Sequence, residues 1–282
     1  MASMKEINLR IKSITGTRQI TKAMELVAIS KLSKARERTE RCRPFYNELY
    51  QALCDISTTS TAKDSPYCQA REAKKSCIIV IAGDRGLAGG YNNNLFKLFE
   101  ELSADKNVCV LPIGKRSVDY CTRKGYEIIS SEYSSVEDID VGDCFEIAGS
   151  LCEMFSECTF DELYVVYTNF ASMLTQDPGT LKILPLDASI SANTSDNHRF
   201  MLVEPGAEAV FNSIVPDSVA GLIWGTVCES FTSELAARRT AMESATSNAD
   251  DIIADLQLKY NKARKSSITQ QITEIVSGAG AE

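Results

Sequence analysis

One histidine and one tryptophan serve a chain of 282 residues. His198 lies in a polar stretch with no serine-nucleophile pattern and no cysteine pair beside it. This argues against Ser-His-Asp chemistry and against a histidine–cysteine zinc site. The ten cysteines, at 42, 54, 68, 77, 109, 121, 144, 152, 158 and 228, include no CxxC. Reduced thiols are the expectation, and no disulfide framework is. Cys152 and Cys158 stand six apart in an expected helix, which turns them to different faces. No run of eighteen apolar residues occurs, so no membrane span is expected. Met1 to Arg18 is polar and amphipathic, unlike a signal peptide. No Gly-Lys-Ser/Thr phosphate loop and no GxGxxG appear, and the carboxylates are scattered rather than paired. The residues alone show no active site.

Charge is present but unevenly spread. The formal net is −8. Residues 1–50 carry eleven Lys/Arg against five Asp/Glu, residues 51–209 thirteen against twenty-four, and residues 210–282 six against nine. A basic terminal helix on an acidic body suits docking against an acidic partner surface. Residues 1–43 lack interleaved aromatics and the chain is acidic overall, which weighs against nucleic acid.

Both ends read as long helices. Near the C-terminus Met242, Ala245, Ala249, Ile252, Leu256, Tyr260 and Ala263 recur at steps of mostly three and four, the spacing of a coiled coil. Ile268, Ile272 and Ile275 resume the pattern after Lys265. The first helix is expected from about Ser3 to about Ser57, with Ile7, Ile11, Ile14, Ile20, Met24, Val27, Leu32 and Ala35 as its stripe. A slip near Gly16 and a kink at Pro44 are expected. Forty-five helical residues span roughly 65–70 Å, longer than a small domain.

The middle alternates strand and helix. Strands are expected at Cys77–Ala82, Val108–Ile113, Tyr126–Ser130, Leu163–Tyr167 and Leu181–Leu186. Helices are expected at Asn92–Ser103, Lys115–Lys124 and Val141–Cys158. Residues 57–66 read as a polar linker and 187–200 as a surface loop. The final helix begins near Ala207 and is expected to break or restart near Pro216. The fold class is therefore α/β: a long antiparallel coiled coil of N- and C-terminal helices with an inserted Rossmann-like α/β domain on a mostly parallel, doubly wound sheet. The divisions are 1–57, 75–200 and 207–282. The turn from Gly83 to Asn92 follows a strand and opens a helix, the place of phosphate loops. Without a phosphate-loop ending it reads as a tight turn or a partner contact. Gly114-Lys115-Arg116 also starts a helix and reads as a solvated helix start, with anion binding the lesser option.

Several stretches together resemble the gamma subunit family of F-type ATP synthases. They are Ile20 to Leu32 (ITKAMELVAISKL), Gly83 to Asn92 beside the family's GDRGLCGGYN, Ser233 to Met242 (SELAARRTAM), and Tyr260 to Arg264 followed by Ile268-Thr269, Thr273 to Val276 and Gly278-Ala279. The resemblance implies a central rotor shaft in a hexamer of alternating alpha and beta subunits (alpha3beta3). The epsilon subunit and the c-ring are implied at the inserted domain. The chain itself is implied to have no catalytic site and to bind no cofactor, the ATP, ADP and Mg belonging to the alpha and beta subunits. A peripheral place on the cytoplasmic face of a bacterial plasma membrane follows. Met24 matches a coupling methionine whose expected neighbours are Glu234 and Arg238. Arg264 and Thr269 match a region contacting the beta subunit. Lys31, Lys34 and Arg36 are implied to face its acidic lobe, and Asp84 and Arg85 to contact partners from the glycine turn. A smooth apolar tip (Val276, Gly278, Ala279, Gly280, Ala281) suits a bearing.

This chain departs from the family at named places. Ala88 replaces the usual Cys, Gln271 a Glu, Lys265 a common Gln and Arg239 a common Met, which makes the shaft more positive. Asp217 to Ile223 departs from the usual segment near the ring. The paired-cysteine insertion of chloroplast relatives has no counterpart, so thiol regulation is not expected. The competing reading is an autonomous nucleotide-binding α/β protein with helical extensions, and a third is a coiled-coil adaptor for nucleic acid.

Overall fold

A computed structural model of the chain describes residues 4–57, 65–69, 71, 73–186 and 207–279. Most of the expected linker (58–64), the loop from 187 to 200 with His198, and Gly280 and Ala281 of the tip lie outside the described residues. Ten elements follow in chain order: α1 (Met4–Ser57), β1 (Ser76–Ile81), α2 (Tyr91–Ser103), β2 (Val108–Ile113), α3 (Lys115–Lys124), β3 (Glu127–Ile128), α4 (Val141–Ser156), β4 (Glu162–Phe170), β5 (Gln176–Leu184) and α5 (Ala207–Ala279). They divide into two compact units. One holds residues 30–237, and the other holds 1–29 with 238–282. Both units are built on parts of α1 and α5.

In the larger unit the sheet order is β3-β2-β1-β4-β5, parallel from β3 to β4 and antiparallel between β4 and β5. Residues of β1 and β2 are buried at every position. Their alternate side chains point to opposite faces, so continuous burial means that both faces are covered, which explains their unbroken apolar runs. Ile78, Val80 and Val110 pack on one face with Leu95 and Phe99 of α2 and Tyr120 and Cys121 of α3. Cys77, Ile79, Ile81 and Leu111 pack on the other with Ile147, Leu151 and Phe155 of α4.

The same second face takes the beginning of α5. Phe211, Val215, Val219, Ile223 and Val227 are all but fully buried in that core. Each such side chain contributes about 1.5–3 kcal/mol of transfer free energy. The expected break at Pro216 does not occur, because α5 runs unbroken for 73 residues with Pro216 inside it. An interior proline costs about 3 kcal/mol, and burial of Val215 and Val219 on either side offsets it. Pro44 is likewise carried within an unbroken α1. A stretch of α5 passes a composition test for a membrane helix, but 61% of that window is buried inside the protein. That composition reflects a core helix.

The edge strands differ from expectation in both directions: β3 is only Glu127–Ile128 rather than Tyr126–Ser130, while β5 is longer. β5 starts at Gln176, not Leu181, because Pro178 and Gly179 on an edge strand mask the alternation. α4 begins at a capping box in which Asp140 accepts from the Asp143 N–H and Asp143 accepts from the Asp140 N–H. Gly114 precedes α3 at φ +91, and a Cβ there would run into the Ala82 carbonyl.

In the smaller unit the two helices run antiparallel: Thr21 shares a hydrogen bond with Thr246 (2.8 Å), and Arg18 pairs with Asp250 (2.8 Å). On α1 positions 4, 7, 11, 14, 18, 21, 25 and 28 are all shielded, an alternation of three and four, with Thr15, Gly16 and Met24 partly shielded beside them. The expected slip at Gly16 is therefore not a change of register. The heptad continues through Arg18, Thr21 and Glu25, while Ile20 and Val27 of the expected stripe are exposed. On α5 positions 242, 246, 249, 253, 256, 260, 263 and 267 are shielded, with Ala241 and Ala245 partly shielded beside them. Ile253 replaces Ile252 in the seam. Ile268, Ile272 and Ile275 are exposed.

Glu162 at the start of β4 gives a pH prediction. Burial works against its charge, but hydrogen bonds from Lys182 (2.9 Å) and Lys106 (3.2 Å) outweigh it and hold its pKa down to about 2. A lowered carboxylate pKa gives stability that is whole above the ordinary value and lost as pH falls toward the folded one. Between pH of about 4.5 and 2, melting temperatures of Glu162→Gln are therefore expected to fall less steeply than those of the parent. Parallel slopes would contradict the assignment.

Candidate functional site

Within the larger unit, the turn after β1 is tied to α5 at two points, and β4 at two more. Gly83 N–H donates to Asn92 Oδ1 (2.9 Å), closing the turn on itself. A Cβ on Gly83 would meet the Glu234 carboxyl carbon at 2.6 Å, so the buried Glu234 side chain lies against the turn. Tyr91 Oη donates to the Ser230 carbonyl (3.0 Å). Thr168 N–H donates to Ser230 Oγ (3.3 Å), and Ser233 Oγ donates to the Thr168 carbonyl (3.2 Å). Residues 230–234 of α5 are thus fixed to the ends of β1 and β4.

Asp84 has an internal task. Its carboxylate accepts from the Val136 N–H (2.9 Å) and also receives the Lys115 N–H and Ser135 Oγ at 3.4 Å. It gathers the start of α3 and the 135–137 loop around the turn. Arg85 is exposed, and Leu87 stands out at φ 64 with 63% exposure.

The 135–139 loop in turn meets α1. Lys31 Nζ pairs with Glu137 (2.5 Å), and Arg38 donates to the Ile139 carbonyl (3.1 Å) while lying 3.9 Å over the Trp224 ring. Thr39 Oγ1 shares a hydrogen bond with Thr232 (3.0 Å), both buried. Arg43 pairs with the buried Glu229 (2.8 Å). Trp224 Nε1 donates to Cys42 Sγ (3.1 Å). This polar stitching joins α1 to α5, and the sequence reading missed it. Its signal was threonine at heptad positions (Thr21, Thr39, Thr232, Thr246), where only apolar residues were sought.

The remaining sequence-derived residues are placed as follows. Lys34 is exposed, and Arg36 is exposed in an i,i+4 pair with Glu40 (2.7 Å). In the smaller unit Met24 and Arg238 are half-buried, and Arg264 and Thr269 are exposed. Thr269 Oγ1 donates back to the Lys265 carbonyl (2.9 Å). Extending the Thr21–Thr246 register puts Arg238 level with Ile29 rather than with Met24. The outside of this coil carries apolar side chains among its charged ones: Leu9, Ile20, Leu26, Val27, Ile252, Leu258, Ile272 and Ile275 are all exposed. Its seam, by contrast, holds Glu25, whose Oε2 is buried without a partner, and Arg239, whose Nε is likewise buried without one.

Metal chemistry finds no foothold among the described residues, where no group of His, Cys, Asp and Glu is placed to hold an ion. Burial pushes the thiols of Cys121, Cys144, Cys152 and Cys228 up to about 12. They stay protonated at neutral pH and make poor nucleophiles.

The family model for ATP synthase matches residues 3–281. The ATP synthase gamma chain of Ruminococcus albus is 41% identical over 285 residues, covering 99% of this chain and 98% of its own. The chain belongs to the ATP synthase gamma-chain family. The sodium-ion-specific gamma chain of Acetobacterium woodii is 38% identical, over 99% of this chain and 98% of its own. Among solved structures, a chain of the Euglena gracilis mitochondrial ATP synthase (OSCP/F1/c-ring) shares the fold. Its TM-score is 0.68 at 17% identity, covering 99% of this chain and 94% of that one. A chain of the Tetrahymena thermophila central stalk and c-ring does so at 0.62 and 22% identity, covering 80% and 99%. Gamma-chain membership accounts for the glycine turn without a phosphate loop: its glycine makes room for Glu234.

Gly83→Ala is expected to destabilise the chain by about 1–3 kcal/mol through overpacking. Part of that loss should disappear when Glu234→Ala is added, leaving a coupling above about 0.5 kcal/mol in a urea-unfolding double-mutant cycle. Additive losses would show that the carboxylate is not what the glycine accommodates.

Proposed function

We propose that this gamma chain is the central rotor shaft of an F1Fo ATP synthase. It couples ion-driven rotation of the c-ring to ATP synthesis or hydrolysis at the beta subunits and has no catalytic site of its own. Gamma-chain identity over nearly the full length carries this reading. It is a peripheral subunit, at the cytoplasmic face of the bacterial plasma membrane, and its partners are alpha3beta3, epsilon and the c-ring. The reading divides the chain into 1–57 and 207–282 as shaft helices and 75–200 as the inserted domain.

The physical logic is asymmetry. A helix pair without threefold symmetry presents a different face to each of three chemically identical beta subunits. A ligand-like surface with different affinity for two conformations shifts the balance between them, so turning the shaft moves each beta subunit through its states in sequence. The exposed row of Ile20, Leu26, Val27 and Ile29 on α1 and of Ile268, Ile272, Ile275 and Val276 on α5 supports burial inside a partner, because apolar patches of that kind are rare on free monomers. Met24, Lys34, Arg36, Arg238, Arg264 and Thr269 are the side chains we assign to contact or coupling with the hexamer. Lys31 acts inward through Glu137. Arg85 and, through its hold on the turn, Asp84 serve contacts at the inserted domain.

Two tests follow. Co-expressed with alpha and beta subunits of a close relative, the tagged chain should purify as a stoichiometric complex that hydrolyses ATP. The deletion of 1–30 together with 250–282 should abolish activity. A chain that stays alone, or that hydrolyses ATP alone, contradicts the reading and favours an autonomous nucleotide-binding protein. In membrane vesicles carrying the whole enzyme, Met24→Lys should lower proton or sodium pumping per ATP hydrolysed. An unchanged ratio would remove Met24 from the coupling residues.

A further inference from the structure

The two turns that the rotor reading leaves without a chemical role, at Gly83–Gly90 and Gly114–Arg116, flank one groove. α2 and α3 follow two neighbouring parallel strands and lie on the same face of the sheet, so they run side by side in the same direction. Between them, and closed at one end by Gly86–Gly89, lies a half-open cleft of about 470 Å³. That is within the 300–1,000 Å³ of small-molecule sites.

Its lining is cationic. Lys97, Arg116, Arg123 and Lys124 face Glu100 and Asp119 there. Glu100 is already satisfied: Lys124 (2.7 Å) and Tyr120 Oη (2.5 Å) donate to it, and these hydrogen bonds hold its carboxyl below the usual carboxylate range. Lys97, Arg116 and Arg123 form no ion pair among the described residues, which leaves three cations against Asp119. Arg123 lies 5.8 Å from the Tyr120 ring centre, held at the wall by the aromatic. At the closed end Arg116 packs over the glycine turn, since a Cβ on Gly86 would meet its Nη2 at 3.3 Å. The N-cap of α2, Gly90, supplies no side-chain acceptor to the first turn, so the Asn92–Asn93 end of the groove presents helix N-terminal polarity. Phe96 stacks on Tyr120 at 4.0 Å between ring centres, and Leu87 forms an apolar rim.

We propose that this α2–α3 groove binds a small polyphosphate, a di- or triphosphate group held by Arg116, Arg123 and Lys97. Guanidinium groups match phosphate oxygens in pairs. Arg116 and Arg123 are two helical turns apart, roughly 10 Å along the axis, which suits a chain of phosphates better than a single one. The phosphates could belong to an inorganic polyphosphate or to a nucleotide whose base reaches Leu87 and Phe96. The proposal does not depend on the rotor reading.

The test is titration calorimetry on the purified full chain with tripolyphosphate and, separately, with ATP, both without divalent metal. One-to-one saturable binding is expected. Arg116→Ala and Arg123→Ala, both surface changes, should each weaken it at least tenfold with an unchanged circular dichroism spectrum, while Lys12→Ala on the coil should not. Tighter binding of ATP identifies the nucleotide, and equal binding identifies the phosphates alone; either supports the site. Absence of saturable binding, or equal weakening by Lys12→Ala, overturns it. So does a tetraglutamate peptide that binds the groove as tightly as tripolyphosphate, which would make this a dock for an acidic protein segment.

Discussion

The buried start of α5 is the constraint on which the rest depends. Phe211, Val215, Val219, Ile223 and Val227 complete one face of the sheet, and without them β1 and β2 would lose the double cover that their continuous apolar sequences require. The same helix continues into the coil. Within the larger unit α5 cannot turn independently of the sheet, because these five side chains are part of the sheet's core.

Polar contacts do a different job from apolar ones. The Thr39–Thr232 and Thr21–Thr246 bonds and the pair of half-exposed Arg43 with buried Glu229 add little net stability relative to well-packed apolar residues. They do fix which residue stands opposite which, the best-attested use of polar groups in helix seams. Register matters to a shaft because its outer faces must be presented in one fixed arrangement. The glycine turn works to the same end: Gly83 admits Glu234, and Asp84 holds the 135–137 loop whose Glu137 reaches Lys31.

What the sequence made legible follows from this division of labour. β1, β2 and the helix between them were readable nearly to the residue, since double burial leaves a strand with no polar interruption. The partner helices were readable as helices, but their seam was misread at Ile20, Val27 and Ile252. Apolar residues mark the seam in an ordinary coiled coil. Here the outside carries Ile20, Leu26, Val27 and Ile252 among its charged residues, and the seam admits Arg18, Thr21 and Glu25, so hydrophobicity did not separate inside from outside. The family resemblance identified candidate contact residues that no local pattern distinguished. It did not reveal that Lys31 and Asp84 hold this chain together, because that depends on loop 135–139, which is remote in sequence from both.

Rotation is the central claim, and it can be watched. With the chain assembled into a hexamer immobilised through its beta subunits, a probe is attached at the exposed Cys158 and followed by single-molecule microscopy while ATP is hydrolysed. The account predicts unidirectional turning of the probe that stops when ATP is exhausted. A probe that stays fixed while the same molecules hydrolyse ATP would contradict it.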